Sequence, residues 1–191
     1  MADPTIPLPS PSPAAVARWL SLEPEVLLKG CDQFPFQGPG PGGQKRNRVY
    51  SGVRLKHRES GLAAEASERR EARRNLEDAL RRLRMAIALC LPPSPRPEGS
   101  VPAATADADP PDLPAGLRFR AGASPQHPDY PRCAFLALLA LDHYGGRVSE
   151  AAADLGTGAS ALARLLRADK AAWAKAQAVR QAHGRHPLKA G

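Results

Sequence analysis

Hydrophobic and polar positions alternate between Tyr50 and His57. One face of an extended chain here would carry the mostly apolar set Ser51, Val53, Leu55 and His57. The other face would carry the cations Arg54 and Lys56. This period of two predicts a half-buried strand with a basic outer face. His57 has no catalytic partner in the pattern, so we expect a half-buried surface histidine.

Neighbouring segments extend this strand into a small sheet. Glu59-Ser60-Gly61 predicts a hairpin turn, and residues 62–66 the returning strand. Residues 31–37 predict a short edge strand, because Pro35 has no N–H to donate to a neighbour. Before them, residues 14–20 and 23–28 predict two short helices, the second with Ser21 as N-cap, Pro24 in its first turn and Gly30 at its end.

A long amphipathic helix is predicted over residues 68–91, which contain neither glycine nor proline. Ser67 is a suitable N-cap. The apolar stripe recurs every three or four residues and consists of Ala72, Leu76, Ala79, Leu80, Leu83 and Ile87. On the polar side we expect ion pairs of Glu77 with Arg81 and of Asp78 with Arg82.

The C-terminal part of the chain predicts a separate helical domain after a proline-rich linker at 92–128. Helices are predicted over 133–144, 148–155, 159–168 and 170–182. Apolar spacing around Gly156 is compatible with a helix-turn-helix, but a plain three- or four-helix bundle explains it equally well. The predicted domains are therefore a disordered lead-in at 1–13, an α+β domain at 14–91, the linker, and an all-α domain at 129–191.

Composition narrows the function classes. The 191 residues include 27 lysines and arginines against 19 acidic residues, a net charge of +8, which favours a polyanionic partner. Aromatics make up only 5%, so extensive base stacking is not expected. Three widely spaced cysteines, without a leader peptide or an apolar run long enough to span a bilayer, predict a reduced, cytoplasmic protein without a metal site.

The sequence Gly40-Pro41-Gly42-Gly43-Gln44 lies between the first two predicted strands. Prolines fix φ on the approach, and the paired glycines then permit backbone conformations closed to other residues. A dense set of cations follows: residues 45–84 hold thirteen basic and six acidic residues. A loop with this sequence can enter a confined, negatively charged site and present backbone N–H groups there.

This segment, together with Ser51-Gly52-Val53-Arg54-Leu55, Gly61-Leu62, Arg70, Asn75 and Leu83, resembles the catalytic domain of class I peptide chain release factors and stalled-ribosome rescue hydrolases. The resemblance covers residues 40–83. It implies translation release on the ribosome: a peptidyl-tRNA hydrolase that needs no cofactor, has large-subunit rRNA and peptidyl-tRNA as partners, and does not act at a membrane. The partner of the C-terminal domain is unknown.

Site residues follow from the resemblance. It implies a catalytic role for Gly42, Gly43 and Gln44, with the Gln44 backbone N–H stabilising developing charge and its side chain positioning water. RNA contacts are expected from ten further residues: Lys45, Arg46, Asn47, Arg48, Arg54, Lys56, Arg69, Arg70, Arg73 and Arg74.

Two departures from the pattern of this family leave alternative functions open. Gln37-Gly38-Pro39 stands where the family usually has Arg-Ala-Ser, which removes a cation and stiffens the approach. Fewer than forty residues precede the motif, so we expect no stop-codon reading and hence codon-independent rescue. The alternatives are a non-catalytic ribosome- or RNA-binding protein, and a DNA-binding regulator that acts through the C-terminal helices.

Overall fold

The computed structural model describes residues 11–37, 50–93 and 117–188. The chain divides into two compact units. The first unit holds the described residues of Leu22–Cys90, and the second holds Ser12–Ser21 and the described residues of Leu91–Gly191. In chain order the elements are α1 (Pro13–Ser21), α2 (Pro24–Lys29), β1 (Cys31–Phe36), β2 (Gly52–His57), β3 (Ala63–Ala66), α3 (Ala72–Leu89), α4 (Tyr130–His143), α5 (Val148–Asp154), α6 (Ala159–Arg167) and α7 (Lys170–Ala182).

The first unit confirms the predicted α+β class. Its three strands form an antiparallel sheet in the order β1-β2-β3, so β1 is an edge strand, as Pro35 requires. Gly61 turns the chain between β2 and β3 at a φ of 70°, and its N–H donates to the His57 carbonyl at 2.8 Å. The turn residue was therefore readable from sequence, because few other residues adopt this φ.

One face of β2 packs with β3 against α3. Leu55, Leu83 and Ile87 are completely buried there, while Arg54 and Lys56 on the opposite face are exposed. His57 differs from prediction, since it is only 2% exposed and its Nδ1 lies 2.8 Å from Ser60 Oγ. It is a core residue that holds the β2–β3 turn.

Helix α3 begins four residues later than predicted. The N-cap position is Glu71, which makes no side-chain capping bond, and residues 68–71 form a bend. The predicted N-cap Ser67 instead donates its backbone N–H to the Glu68 carboxylate at 3.0 Å. Ala72 of the predicted apolar stripe is exposed, whereas Asn75, which was not predicted to belong to the stripe, is buried.

The predicted capping role of Ser21 is wrong. Ser21 belongs to α1, where its Oγ donates to the Ala17 carbonyl at 2.8 Å, and the N-cap position of α2 is Glu23. Pro24 does stand in the first turn of α2, and Gly30 does end it, with its N–H donating to the Leu27 carbonyl at 3.0 Å. The hydroxyl of Ser21 bonds within its own helix because that helix continues through the residue.

The second unit is all-helical, and its four C-terminal helices match the predicted ones to within three residues at each end. Helix α4 lies at its centre, with Phe135 and Leu141 among ten buried residues. Tyr130 donates its hydroxyl to the Leu165 carbonyl at 2.9 Å, which ties α4 to α6. The Asp169 carboxylate caps α7 by accepting two backbone N–H groups at 2.9 Å.

Helix α1 belongs to this second unit, whereas the sequence places residues 14–20 with the sheet. Val16, Ala17 and Leu20 are completely buried. Arg132 on α4 donates through Nε to the Leu20 carbonyl at 2.6 Å, which satisfies a helix-end carbonyl. Apolar periodicity predicted the helix but could not identify the helix against which it packs.

Gly156 turns the chain between α5 and α6 at a φ of 65°. Most of the predicted lead-in and linker lies outside the described residues, although α1 already begins at Pro13. Among the described helices none is long and apolar enough to cross a membrane.

Candidate functional site

The Gly42-Gly43-Gln44 motif and the basic residues 45–48 lie outside the described residues, but both ends of their loop are described. Strand β1 ends at Phe36 and β2 begins at Gly52, and these two residues are register partners in the antiparallel pair. The chain therefore leaves the sheet and returns to it at one point. The motif is carried on a long connection between two hydrogen-bonded strands.

Gly52 allows the two strands to approach each other closely at the base of this loop. A Cβ at position 52 would lie 2.8 Å from the Phe36 carbonyl oxygen and 3.0 Å from two atoms of the Phe36 ring. The carbonyl is backbone and cannot swing aside, so a larger residue would push the two strands apart. Glycine is required here for close approach, not for an unusual φ.

Asn75 fixes the returning arm of the loop. Its side chain is completely buried and forms three hydrogen bonds. Nδ2 donates to the carbonyls of Ser51 at 2.6 Å and Arg69 at 2.9 Å, and Oδ1 accepts from the Arg69 N–H at 2.8 Å. One amide therefore joins the residue before β2, the bend before α3 and α3 itself.

The role of Asn75 was missed from sequence, although a signal was present. Asn75 stands three residues after Ala72 and four before Ala79, and so continues the spacing of the apolar stripe. A polar residue at a core-facing helical position must have hydrogen-bond partners.

The predicted RNA-contacting arginines and lysine fall into two groups in the first unit. Arg54 and Lys56 lie on the outer face of the sheet, and Arg54 Nε is 3.8 Å from Glu65. Arg69, Arg70, Arg73 and Arg74 lie in the bend and first turn of α3, on the other side of the sheet from that face.

Ion pairs around α3 differ from the predicted ones. Glu77 pairs with Arg73 and Asp78 with Arg81, and Arg82 reaches back to Glu68 at 2.7 Å. This hydrogen bond from Arg82 is the main reason that the pKa of the Glu68 carboxyl is lowered. Arg69 and Arg74 also have acidic neighbours, Asp78 and Glu71, whereas Arg70 forms no ion pair with a described residue. Both side chains are exposed in the pairs of Arg73 with Glu77, Arg74 with Glu71 and Arg82 with Glu68, so these pairs are weak and leave the arginines available to a stronger anion. Asp78, the partner of Arg69 and Arg81, is only 17% exposed.

The described residues contain no group of three or more His, Cys, Asp or Glu side chains that could hold a metal ion. Cys31 and Cys133 are buried thiols whose pKa values are raised by desolvation, which makes them poor nucleophiles. What the described residues of the first unit do provide is a fixed base for the loop and exposed cations in the same unit.

A protein-family model described as the RF-1 domain matches residues 33–94. The first unit contains a release factor-like domain. The match begins in β1, spans the loop with its Gly42-Gly43-Gln44 motif and continues past the end of α3. Helices α4 to α7 lie outside it.

The chain is also similar to an uncharacterised peptide chain release factor-like protein, mitochondrial, of Saccharomyces cerevisiae. The two are 38% identical over 63 residues, which are 33% of this chain and 39% of that protein. The match thus spans about two fifths of the relative's length. No solved structure matches this chain.

Proposed function

We propose that this protein hydrolyses the ester of peptidyl-tRNA in the ribosomal peptidyl transferase centre without reading a codon. The observation that carries this proposal is the RF-1 domain match over residues 33–94, which includes Gly42, Gly43 and Gln44. The fixed base of the loop supports it, because Gly52 and Asn75 hold the strand end from which the motif extends.

In the proposed reaction, water attacks the ester carbonyl carbon, the bond to the tRNA 3′ oxygen breaks, and that oxygen takes up a proton. The Gln44 backbone N–H donates to the oxygen on which charge develops, a contribution of about 3 kcal/mol for one such donor. Gly42 and Gly43 permit the backbone conformation that points this N–H inward. The Gln44 side chain positions the water and excludes larger nucleophiles.

RNA supplies the surroundings of the proposed site, and the cations of the first unit supply the affinity. Lys45, Arg46, Asn47 and Arg48 would contact rRNA and the tRNA acceptor end nearest the motif. Arg54 and Lys56 on the sheet form one further contact region. Arg69, Arg70, Arg73 and Arg74 form another, in which Arg70 is the first candidate for a phosphate because it has no ion pair with a described residue.

The proposed chemistry does not depend on the compartment in which the protein acts. The sequence predicts a cytoplasmic protein, while the yeast relative is described as mitochondrial. Both compartments contain ribosomes, so the proposed chemistry is the same in either.

Codon independence is tested with ribosomes that carry labelled peptidyl-tRNA on three mRNAs: one truncated at the P site, one with a stop codon in the A site and one with a sense codon there. We expect the protein to release peptide from the truncated complex and to gain nothing from the stop codon. Release that requires the stop codon would contradict codon independence. Binding to all three complexes without release would favour the non-catalytic ribosome-binding alternative.

A further inference from the structure

The first unit places its aromatic rings outside its core. Its segment Leu22–Cys90 contains three of them, Phe34, Phe36 and Tyr50. The core is built from aliphatic side chains such as Leu27, Leu55, Leu83 and Ile87. Phe34 is 50% exposed and Tyr50 64% exposed, and Phe36 is half-buried. Exposed rings do not contribute the free energy that their burial in the core would provide. This arrangement therefore indicates a surface that contacts another molecule.

The exposed rings lie beside cations. In the β1–β2 register Phe34 is opposite Arg54 and Phe36 is opposite Gly52, while Asp32 is opposite Lys56. Alternation along the strands puts Phe34, Phe36, Arg54 and Lys56 on the face turned away from α3. The same four residues, with Gly61, Ala63 and Glu65, line an open depression of about 730 Å³. We call this surface the outer face.

Charge on the outer face favours an anion. Arg54 Nε lies 3.8 Å from a Glu65 carboxylate oxygen, and both side chains are 60% exposed, so this ion pair is weak. Lys56 forms no ion pair with a described residue. Asp32 lies 3.7 Å from Arg58, which offsets its charge. A flat ring beside Lys56, and beside Arg54 with its weak, exposed ion pair, provides a stacking surface and phosphate contacts together.

We propose that the outer face binds an unpaired RNA strand, with one or two bases stacked on Phe34 and Phe36 and the neighbouring phosphates at Arg54 and Lys56. A duplex does not fit this chemistry, because its bases are already stacked and present no free face to Phe34. Two rings suffice for one or two bases, which agrees with the low aromatic content of the chain. The inference rests on the RNA partner of the proposed function but not on its hydrolytic chemistry.

The test is fluorescence anisotropy of the full chain with a labelled unstructured RNA of about 12 nucleotides, and with a hairpin of the same composition. Salt of about 0.3 M reduces the contribution of the other cations. We expect Phe34→Ala to weaken binding of the single strand roughly 5- to 150-fold, the range for loss of one stacked base. Phe34→Tyr should retain affinity. Lys56→Gln should lower the slope of log affinity against log salt by about 0.7.

Val26→Ala is the matched control, because Val26 is also an exposed hydrophobic of the first unit, at 48%, but lies on α2. It should bind RNA like the wild type. Single-strand affinity of Phe34→Ala within about twofold of the control, with the circular dichroism of both unchanged, would overturn the proposal. So would equal loss of affinity for the hairpin. Gly43→Ala should abolish peptide release yet keep RNA affinity, so failure of the hydrolase proposal remains distinguishable from failure of this one.

Discussion

Replacement of Asn75 by alanine removes the side chain that joins Ser51, the bend at Arg69 and α3. The residue is completely buried, so water cannot easily replace the lost amide. The carbonyls of Ser51 and Arg69 each lose a donor, and the Arg69 N–H loses its acceptor. Asn75→Ala should therefore destabilise the first unit and loosen the base of the loop.

Three hydrogen bonds, each with a net contribution of roughly 1 kcal/mol, amount to about 3 kcal/mol. The higher helix propensity of alanine offsets only about 0.5 kcal/mol of this loss. We expect the free energy of unfolding to fall by roughly 2–4 kcal/mol. Asn75→Asp should be at least as harmful, because it keeps the acceptor for Arg69 N–H but places a carboxylate oxygen against two carbonyls.

Urea unfolding followed by circular dichroism measures the loss, and amide hydrogen exchange of peptides covering residues 51–57 and 69–80 locates it. Glu77→Ala on the same helix is the matched control, since Glu77 and its partner Arg73 are 65% and 89% exposed. That control should change stability by less than about 0.5 kcal/mol. An Asn75→Ala variant as stable as the control, with unchanged exchange near Ser51, would refute the inferred role.

Three further outcomes follow from single groups. Gly52→Ala should cost roughly 1–3 kcal/mol in urea unfolding, because its Cβ meets the Phe36 carbonyl, whereas Gly122→Ala, with nothing within 4 Å, should be neutral. Asp169→Ala should cost about 0.5–2 kcal/mol through loss of the α7 cap, measured by thermal unfolding; an unchanged midpoint would contradict the capping role. Burial raises the pKa of the Cys31 and Cys133 thiols, so the folded state keeps protons that the unfolded state loses. The free energy of unfolding should therefore fall as pH rises above about 8.5, and less steeply in Cys133→Ala; equal slopes would contradict this.

The sequence predicted strands and turns at positions where one residue type alone meets a backbone requirement, whereas the predicted N-caps Ser21 and Ser67 were wrong. Alternation over residues 50–57 predicted β2, and Pro35 predicted that β1 is an edge strand. Glycines at 145, 146 and 156 separate the C-terminal helices, and all three have positive φ in the structure. In each case one residue type satisfies a backbone requirement that few others can meet.

Features set by contacts distant in sequence were not predictable. The sequence favours a helix from residue 68, but Asn75 binds Arg69 and holds a bend there until Ala72. That bend brings Glu68 to Arg82, a pair that no i, i+4 rule contains. The base of the loop was only partly predictable. Gly52 is one of the residues on which the family resemblance depends, but its closeness to Phe36 depends on the strand register, which the sequence does not show.

The central claim is hydrolysis at the Gly42-Gly43-Gln44 motif. It is tested most directly by measuring the release of labelled peptide from stalled ribosomes by the wild type, Gly43→Ala and Gly38→Ala. Both variants add a methyl group to a glycine of the same loop, but only Gly43 belongs to the motif. We expect the wild type to release peptide, Gly38→Ala to retain most of that activity, and Gly43→Ala to lose about 100-fold or more, as for loss of one oxyanion donor. Equal release by all three proteins, or no release by wild type that nevertheless binds the ribosome, would contradict hydrolysis at this motif.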